Sequence, residues 1–241
     1  MGKLTEDLPK GMLPFEGKTL IERQVEVLRS VGVNEIIIVT GYRAERISYA
    51  GVRYFHNPEY GSTNMVETLL CARDAMDGAL VVAYSDILYS RRLAELVVSS
   101  EFDIGVAADT AWRDYWLLRY GTTETDLESF AVSPAGVVTE IGRPVDSSVG
   151  LDYRYIGLLK FSASSIADIL RVYDAKKREG AAWRQSGNSF EKGYMTDLLD
   201  EAMVTGLPVR PITVAGGWLE FDTSGDCAAN TSPEGLARIA G

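Results

Sequence analysis

Three carboxylates stand where apolar runs end. Asp86 follows "ALVVAYS" (79–85), and Glu220 and Asp222 close "GGWLEFD" (216–222). Ligands of open α/β sheets bind beyond the carboxyl ends of the strands, so these positions face the expected site. A carboxylate emerging from a buried strand is costly unless partnered, and a divalent cation is a natural partner. Alternation along a strand puts Glu220 and Asp222 on the same side. With His56 the single histidine, such a set suits Mg²⁺ and phosphate oxygens better than zinc. A helix cap or surface carboxylate accounts for any one Asp; Asp86 and Asp222 jointly favour the metal.

The rest of the composition narrows the class. The 241 residues are 46% hydrophobic and 24% charged, as in a globular α/β domain. No apolar run is long enough to cross a bilayer, and no signal-peptide pattern opens the chain. Cys71 and Cys227 lie far apart in no metal-ligand spacing, which reads as two reduced thiols in the cytoplasm. The net charge of -10 opposes binding to nucleic acid. A small anionic ligand remains open, because a few Lys and Arg in one cleft outweigh a distant field.

The elements that must position the carboxylates alternate along the chain. Strands are predicted at "EIIIVTG" (35–41), "VRYFHN" (52–57), "ALVVAYSDIL" (79–88) and "FDIGVAAD" (102–109). Helical segments separate them, beginning with the stripe Leu20, Ile21, Val25 and Leu28. A second helix starts near Asn64. That order implies parallel crossovers with helices on both faces of one sheet. After position 110 the rhythm changes to a hairpin over 129–142, a strand at 155–162, helices from about Ser164 and Met195, and closing strands "PVRPITV" and "LEFDT". One domain is expected over 1–241, with a first part over about 1–110 and a closing part over about 111–241.

An opening segment and five later motifs, in order, carry a resemblance. "LTEDLPKGMLPFEGKTLIERQVEVLRSVGVNEIIIVTGY" resembles the start of nucleotidyltransferases that join a nucleoside triphosphate to a sugar phosphate or small phosphorylated alcohol. "NPEYGSTNMVETLLCAR", "YSDILYS", "VTEIGRP", "YIGLLKFS" and "WLEFDTSGD" are similar to the branch containing phosphocholine and phosphonate cytidylyltransferases. The resemblance implies a Rossmann-like nucleotide-diphospho-sugar transferase fold with a mixed, mostly parallel central sheet. It implies Mg²⁺, with Mn²⁺ as a substitute, and CTP in preference to UTP or dTTP. The acceptor would be phosphocholine-like, an aminoalkylphosphonate or a sugar phosphate, and pyrophosphate would leave. A monomer or homodimer is expected, with no membrane insertion.

Roles follow as what the resemblance implies. Lys10 would cover the triphosphate, and Asp86 and Asp222 would hold Mg²⁺ with Glu220 as a third ligand. Arg143 stands where the family's Glu-Lys-Pro motif has Lys and would grip the acceptor phosphate, bidentately if needed. Lys160 would assist it, or is an edge-strand lysine facing solvent. Tyr84 belongs to the Asp86 motif. Ser62, Thr63 and Asn64 would overlie the acceptor and nucleotide pocket, or cap the next helix. Trp112, Tyr115, Trp116, Trp183 and Tyr194, with Glu191 and Asp197, would cage a cationic head group, or are core.

The family pattern has one departure here. Its first strand and Gly-rich loop precede the Pro-Lys turn, and this sequence opens inside that turn. The expectation is an upstream start, and an open slot in the core of the chain as given. Two other readings stay open. One is a non-catalytic homologue; the other is a glycosyltransferase, which a single Asp in "YSDILY" supports poorly.

Overall fold

The computed structural model of the chain describes residues 2–240. The opening turn leads into a small hairpin, β1 (Pro14–Phe15) and β2 (Lys18–Thr19), and then α1 (Leu20–Ser30). The Thr19 hydroxyl caps α1 by accepting from the Glu22 amide at 3.1 Å. Two parallel strands follow, β3 (Ile37–Thr40) and β4 (Arg53–His56), with α2 (Met65–Leu70) after them. Next come β5 (Leu80–Ala83), β6 (Ile87–Tyr89), α3 (Arg91–Ser99) and β7 (Ile104–Asp109).

The second half adds α4 (Trp112–Tyr120), the hairpin β8 (Glu128–Val132) and β9 (Val138–Pro144), and β10 (Arg154–Phe161). It closes with α5 (Ala163–Glu179), α6 (Met195–Val204), β11 (Val209–Val214), β12 (Trp218–Glu220), α7 (Ser224–Asn230) and α8 (Pro233–Ile239). The central ladder runs β11-β7-β10-β5. Because β10 is antiparallel to both β5 and β7, those two share a direction, and β11 runs parallel to β7. The sheet is therefore mixed, with three of these four strands pointing one way.

Alternation sorts the core onto two faces. From β7, Ile104, Val106 and Ala108 pack with α5 and α6, while Ala107 joins α3 and α4 on the other side. Helices thus cover both faces, as the alternating pattern requires.

Three local expectations need correction. The run 79–88 is not one strand: it breaks at Tyr84–Asp86, and β6 turns away to pair with β12. The helix α4 was not anticipated, because its aromatic residues crowd more than one side and blur the 3.6-residue period. The short helices α7 and α8 were also missed. They are set by caps rather than by an apolar stripe, a Thr223–Asp226 capping box and the Ser232 hydroxyl.

The expected slot is present. A cavity of about 580 Å³ lies between β3 and β5, lined by residues 35–39 on one side and 79–86 on the other. Among the described residues β3 pairs with β4 and β5 with β10, so the strand edges facing the slot carry no ladder. Ile37, Ile38, Leu80 and Val81 are consequently only half-buried, although their composition is that of fully buried strands.

Candidate active site

The turn carrying Asp86 is held from four directions. Gln24 on α1 donates to the carbonyls of Tyr84 at 2.8 Å and Ile87 at 2.5 Å. The Tyr84 amide donates to the Gly157 carbonyl at 3.0 Å, and the Phe221 amide to the Asp86 carbonyl at 2.9 Å. Gly157 sits at φ +76°, where β10 shifts register, and a Cβ there would lie 2.6 Å from the Tyr84 ring. Only glycine fits. Gly11, next to Lys10, packs against the same turn, since a Cβ there would lie 3.0 Å from the Ser85 carbonyl oxygen.

Lys10 reaches into this turn. Its Nζ lies 2.9 Å from Asp86 Oδ2 and 2.7 Å from Asp222 Oδ1. Three segments far apart in sequence therefore converge on one point. Burial opposes the ammonium charge of Lys10, but the two carboxylates raise its pKa nonetheless. Burial likewise works against Asp222, yet Lys10 outweighs it and holds the Asp222 carboxyl below its ordinary value.

Glu220 behaves differently. The strand β12 ends at this residue and Asp222 lies in the following bend, yet the two side chains remain neighbours, as alternation predicts, and Glu220 helps to hold the Asp222 carboxyl low. Glu220 accepts from Arg119 Nη1 in a tight ion pair. Burial pushes its carboxyl up to about 8, against the pull of Arg119.

A divalent cation fits the Asp86–Asp222 pair. The Lys10 ammonium already occupies the point between the two carboxylates and stands in for such a cation. Mg²⁺ binds through one or two carboxylates together with substrate phosphate oxygens and water. Among the described residues no three His, Cys, Asp or Glu side chains are grouped to hold one ion. Glu220 therefore does not join the pair as a third ligand in this arrangement.

The other predicted residues divide. Thr63, Asn64, Tyr84 and Asp86 line the slot at one end. Asn64 caps α2, its Oδ1 accepting from the Met65 amide at 2.9 Å. Ser62 is exposed and donates back to Glu59. The Tyr84 hydroxyl accepts from that of Tyr155 at 3.2 Å. Arg143 is exposed at the end of β9, paired with Glu140, while Glu128 opposite Pro144 is near enough to feel the charge of Asp222. Lys160 is not an edge-strand lysine, and it lines the same slot as Asp86. Its strand β10 is central, and its register opposite Val81 and Gly105 sets it five residues back from Asp86 on that side, toward Asp103.

The head-group cage needs correction as well. Trp112 is 1% exposed and donates its indole N–H to the Leu151 carbonyl; Tyr115, Trp116 and Trp183 are equally buried. Asp197 is 1% exposed and fully engaged, accepting from Ser186 and, from the first turn of α6, from the amide of the N-cap Tyr194. Tyr194 and Glu191 are exposed, and the Glu191 carbonyl accepts from the Asn64 amide. The aromatic cluster does surround a cation, but it is Arg119 of this chain: its Cζ lies 5.4, 5.0 and 4.7 Å from the ring centres of Tyr115, Trp116 and Tyr120.

Gln24, Arg119 and Asp226 escaped the sequence reading. Each left a signal: Gln24 interrupts the apolar stripe of α1, Arg119 sits in the aromatic run "WRDYWLLRY", and Thr223–Asp226 has capping-box spacing.

Comparison with known proteins bears on the family and the fold. The family model of the MobA-like NTP transferase domain matches residues 1–135. A CTP:phosphoglutamine cytidylyltransferase of Campylobacter jejuni is 28% identical over 234 residues, 92% of this chain and 91% of that protein. A choline-phosphate cytidylyltransferase of Streptococcus pneumoniae is 29% identical over 122 residues, 49% of this chain and 52% of that protein. Among solved structures, the CTP:phosphocholine cytidylyltransferase from Streptococcus pneumoniae superposes with a TM-score of 0.69 at 21% identity, covering 94% of this chain and 90% of that one. At that identity the superposition speaks for the fold, that of the nucleotide-diphospho-sugar transferases. More than half of the chain matches the family model, so the chain belongs to the MobA-like NTP transferase family and is a nucleotidyltransferase.

Proposed function

We propose that the chain transfers a cytidylyl group from CTP to a small phosphorylated or phosphonate acceptor and releases pyrophosphate. The observation that carries this reading is the convergence of Lys10, Asp86 and Asp222 on one cation position at the ends of β5 and β12. The relatives named for cytidylyl transfer to phosphoglutamine and choline phosphate favour CTP over UTP or dTTP. An acceptor oxygen, already anionic, forms the new bond to the α-phosphorus as the bond to pyrophosphate breaks on the opposite side. No general base is needed, and catalysis rests on positioning and charge neutralisation.

Asp86 and Asp222 would hold Mg²⁺ at the point Lys10 takes here. Bound there, the ion would neutralise charge developing on the α-phosphate. Lys10, freed from the carboxylates, carries its charge to the triphosphate. Arg143, whose side chain is tied among the described residues to half-buried Glu140, is available for the acceptor phosphate.

That division predicts Arg143→Ala to raise the KM for the acceptor by about tenfold or more, with the KM for the triphosphate little changed. Steady-state kinetics with each substrate varied in turn would read it. A change confined to the triphosphate KM would exchange the roles of Arg143 and Lys10.

The reading as a whole is tested by pyrophosphate release from CTP, UTP and dTTP against phosphocholine, aminoethylphosphonate, phosphorylated amino acids and sugar 1-phosphates. Release that needs both CTP and one of these acceptors is expected. A dTTP or UTP requirement with a sugar 1-phosphate would move the chain to another substrate class, and no acceptor-dependent release from any triphosphate would overturn the reading.

A further inference from the structure

We infer that Arg119 is a positioning residue for the carboxylate pair, acting through Asp226 on Asp222 and directly on Glu220. The inference rests on the metal role proposed above for Asp86 and Asp222. The Arg119 side chain is fully buried at the end of α4. Its Nε and Nη2 donate to Asp226 Oδ1 at 2.8 Å and Oδ2 at 3.0 Å, a two-point grip that fixes the plane of that carboxylate. The same Asp226 Oδ2 accepts from the amides of Asp222 at 2.8 Å and Thr223 at 2.7 Å. The backbone that presents Asp222 to Lys10 is therefore hung on Asp226, and Asp226 on Arg119.

The remaining nitrogen, Nη1, takes Glu220. Without it a buried carboxyl two residues from Asp222 would lose its cationic partner. The aromatic rings of Tyr115, Trp116 and Tyr120 surround the guanidinium and leave it no other orientation. The Tyr115 hydroxyl adds a further tie, accepting from the Glu220 amide at 2.6 Å. One cation thus holds both Asp226, on which the Asp222 backbone hangs, and the Glu220 carboxylate beside it. A lysine would keep the charge and lose the planar fork.

The test is Mn²⁺ binding to the protein alone, followed by the loss of the free-ion electron paramagnetic resonance signal, with thermal melting in parallel. Arg119→Lys should weaken Mn²⁺ binding by about tenfold or more, the scale seen when an outer partner of a metal ligand is removed. Arg238→Lys is the control. Arg238 is also largely buried, pairs with Asp109 at 2.5 Å and packs on the other side of the cluster against Tyr115, but has no hydrogen bond to the 220–226 segment. It should lower the Tm while leaving Mn²⁺ affinity at the wild-type value.

Wild-type affinity in Arg119→Lys, or equal weakening in Arg238→Lys, would overturn the inference. A wild-type protein that binds no Mn²⁺ would instead overturn the metal role of Asp86 and Asp222. Should Arg119→Lys fail to fold, the unaltered protein gives the answer by hydrogen exchange. The amides of Asp222 and Thr223 should exchange slowly, and exchange as fast as that of exposed loops would show that Asp226 does not hold them.

Discussion

Asp86→Asn and Asp222→Asn are each expected to lower kcat by about a hundredfold or more, the scale on which lost charge stabilisation at a reacting centre is measured. The substitution is nearly isosteric, so the turns held by Gln24 and Asp226 persist and the change falls on charge. Both residues already face a single cation, Lys10, at 2.9 and 2.7 Å. Asp222 in particular is kept ionised by Lys10 against its burial. Removing one carboxylate would leave Mg²⁺ with one of the two protein ligands proposed for it. Titrating Mg²⁺ in the rate assay separates two outcomes. A loss that high Mg²⁺ reverses is a loss of affinity, and one that persists at saturation is a loss of chemistry. A rate like that of the wild type in either variant would remove that carboxylate from the site.

The second large effect concerns stability and comes from the slot. Two strands of apolar residues face each other across about 580 Å³ without a ladder between them. Buried backbone groups left unpaired cost about 1–3 kcal/mol each. A single extended apolar strand would satisfy both edges and cover Ile37, Ile38, Leu80 and Val81. The start of the described chain is well placed to deliver one. Asp7 pairs with Arg43, just beyond the end of β3, at 2.7 Å, and Lys10 sits at the Asp86 end of the slot. Fusing about six β-branched residues and a short loop ahead of Met1 should therefore raise the Tm by about 5 °C or more. It should also strengthen CTP binding, because the loop would bring backbone amides to the phosphate site. The same fusion with proline at alternate positions cannot complete the ladder and should give no gain. Equal melting temperatures for all three proteins would show that the chain closes the gap by other means.

Much of this architecture was legible because it depends on local periodicity. The β-branched runs of β3 and β7, the hairpin turn at Pro134–Gly136 and the long helix α5 all followed from residue pattern. Asp86 and Asp222 were legible because a carboxylate at the end of an apolar run is chemically conspicuous. What the sequence hid is what depends on distant partners. The break at Tyr84–Asp86 is made by Gln24, some 60 residues upstream, and by the Gly157 bulge in β10. Glu220 looked like a ligand until Arg119, which no spacing rule connects to it, took its carboxylate. Tyr115 and Trp116 had the composition of a cation cage, and a cage does form, around an internal arginine. Lys160 depended on sheet order, which local pattern cannot supply: β10 lies between β5 and β7 rather than at an edge.

The central claim is that Lys10, Asp86 and Asp222 form the reaction centre for transfer of a nucleotidyl group. It is tested most directly by following label from CTP carrying ³²P at the α or the γ position, with Mg²⁺ and a phosphorylated acceptor, in the wild-type protein and in Asp222→Asn. The account predicts that α-label enters a CDP-linked product and γ-label appears in pyrophosphate, and that Asp222→Asn slows both together. Transfer of the γ-label to the acceptor, or equal α-label transfer in the wild-type protein and the variant, would contradict it.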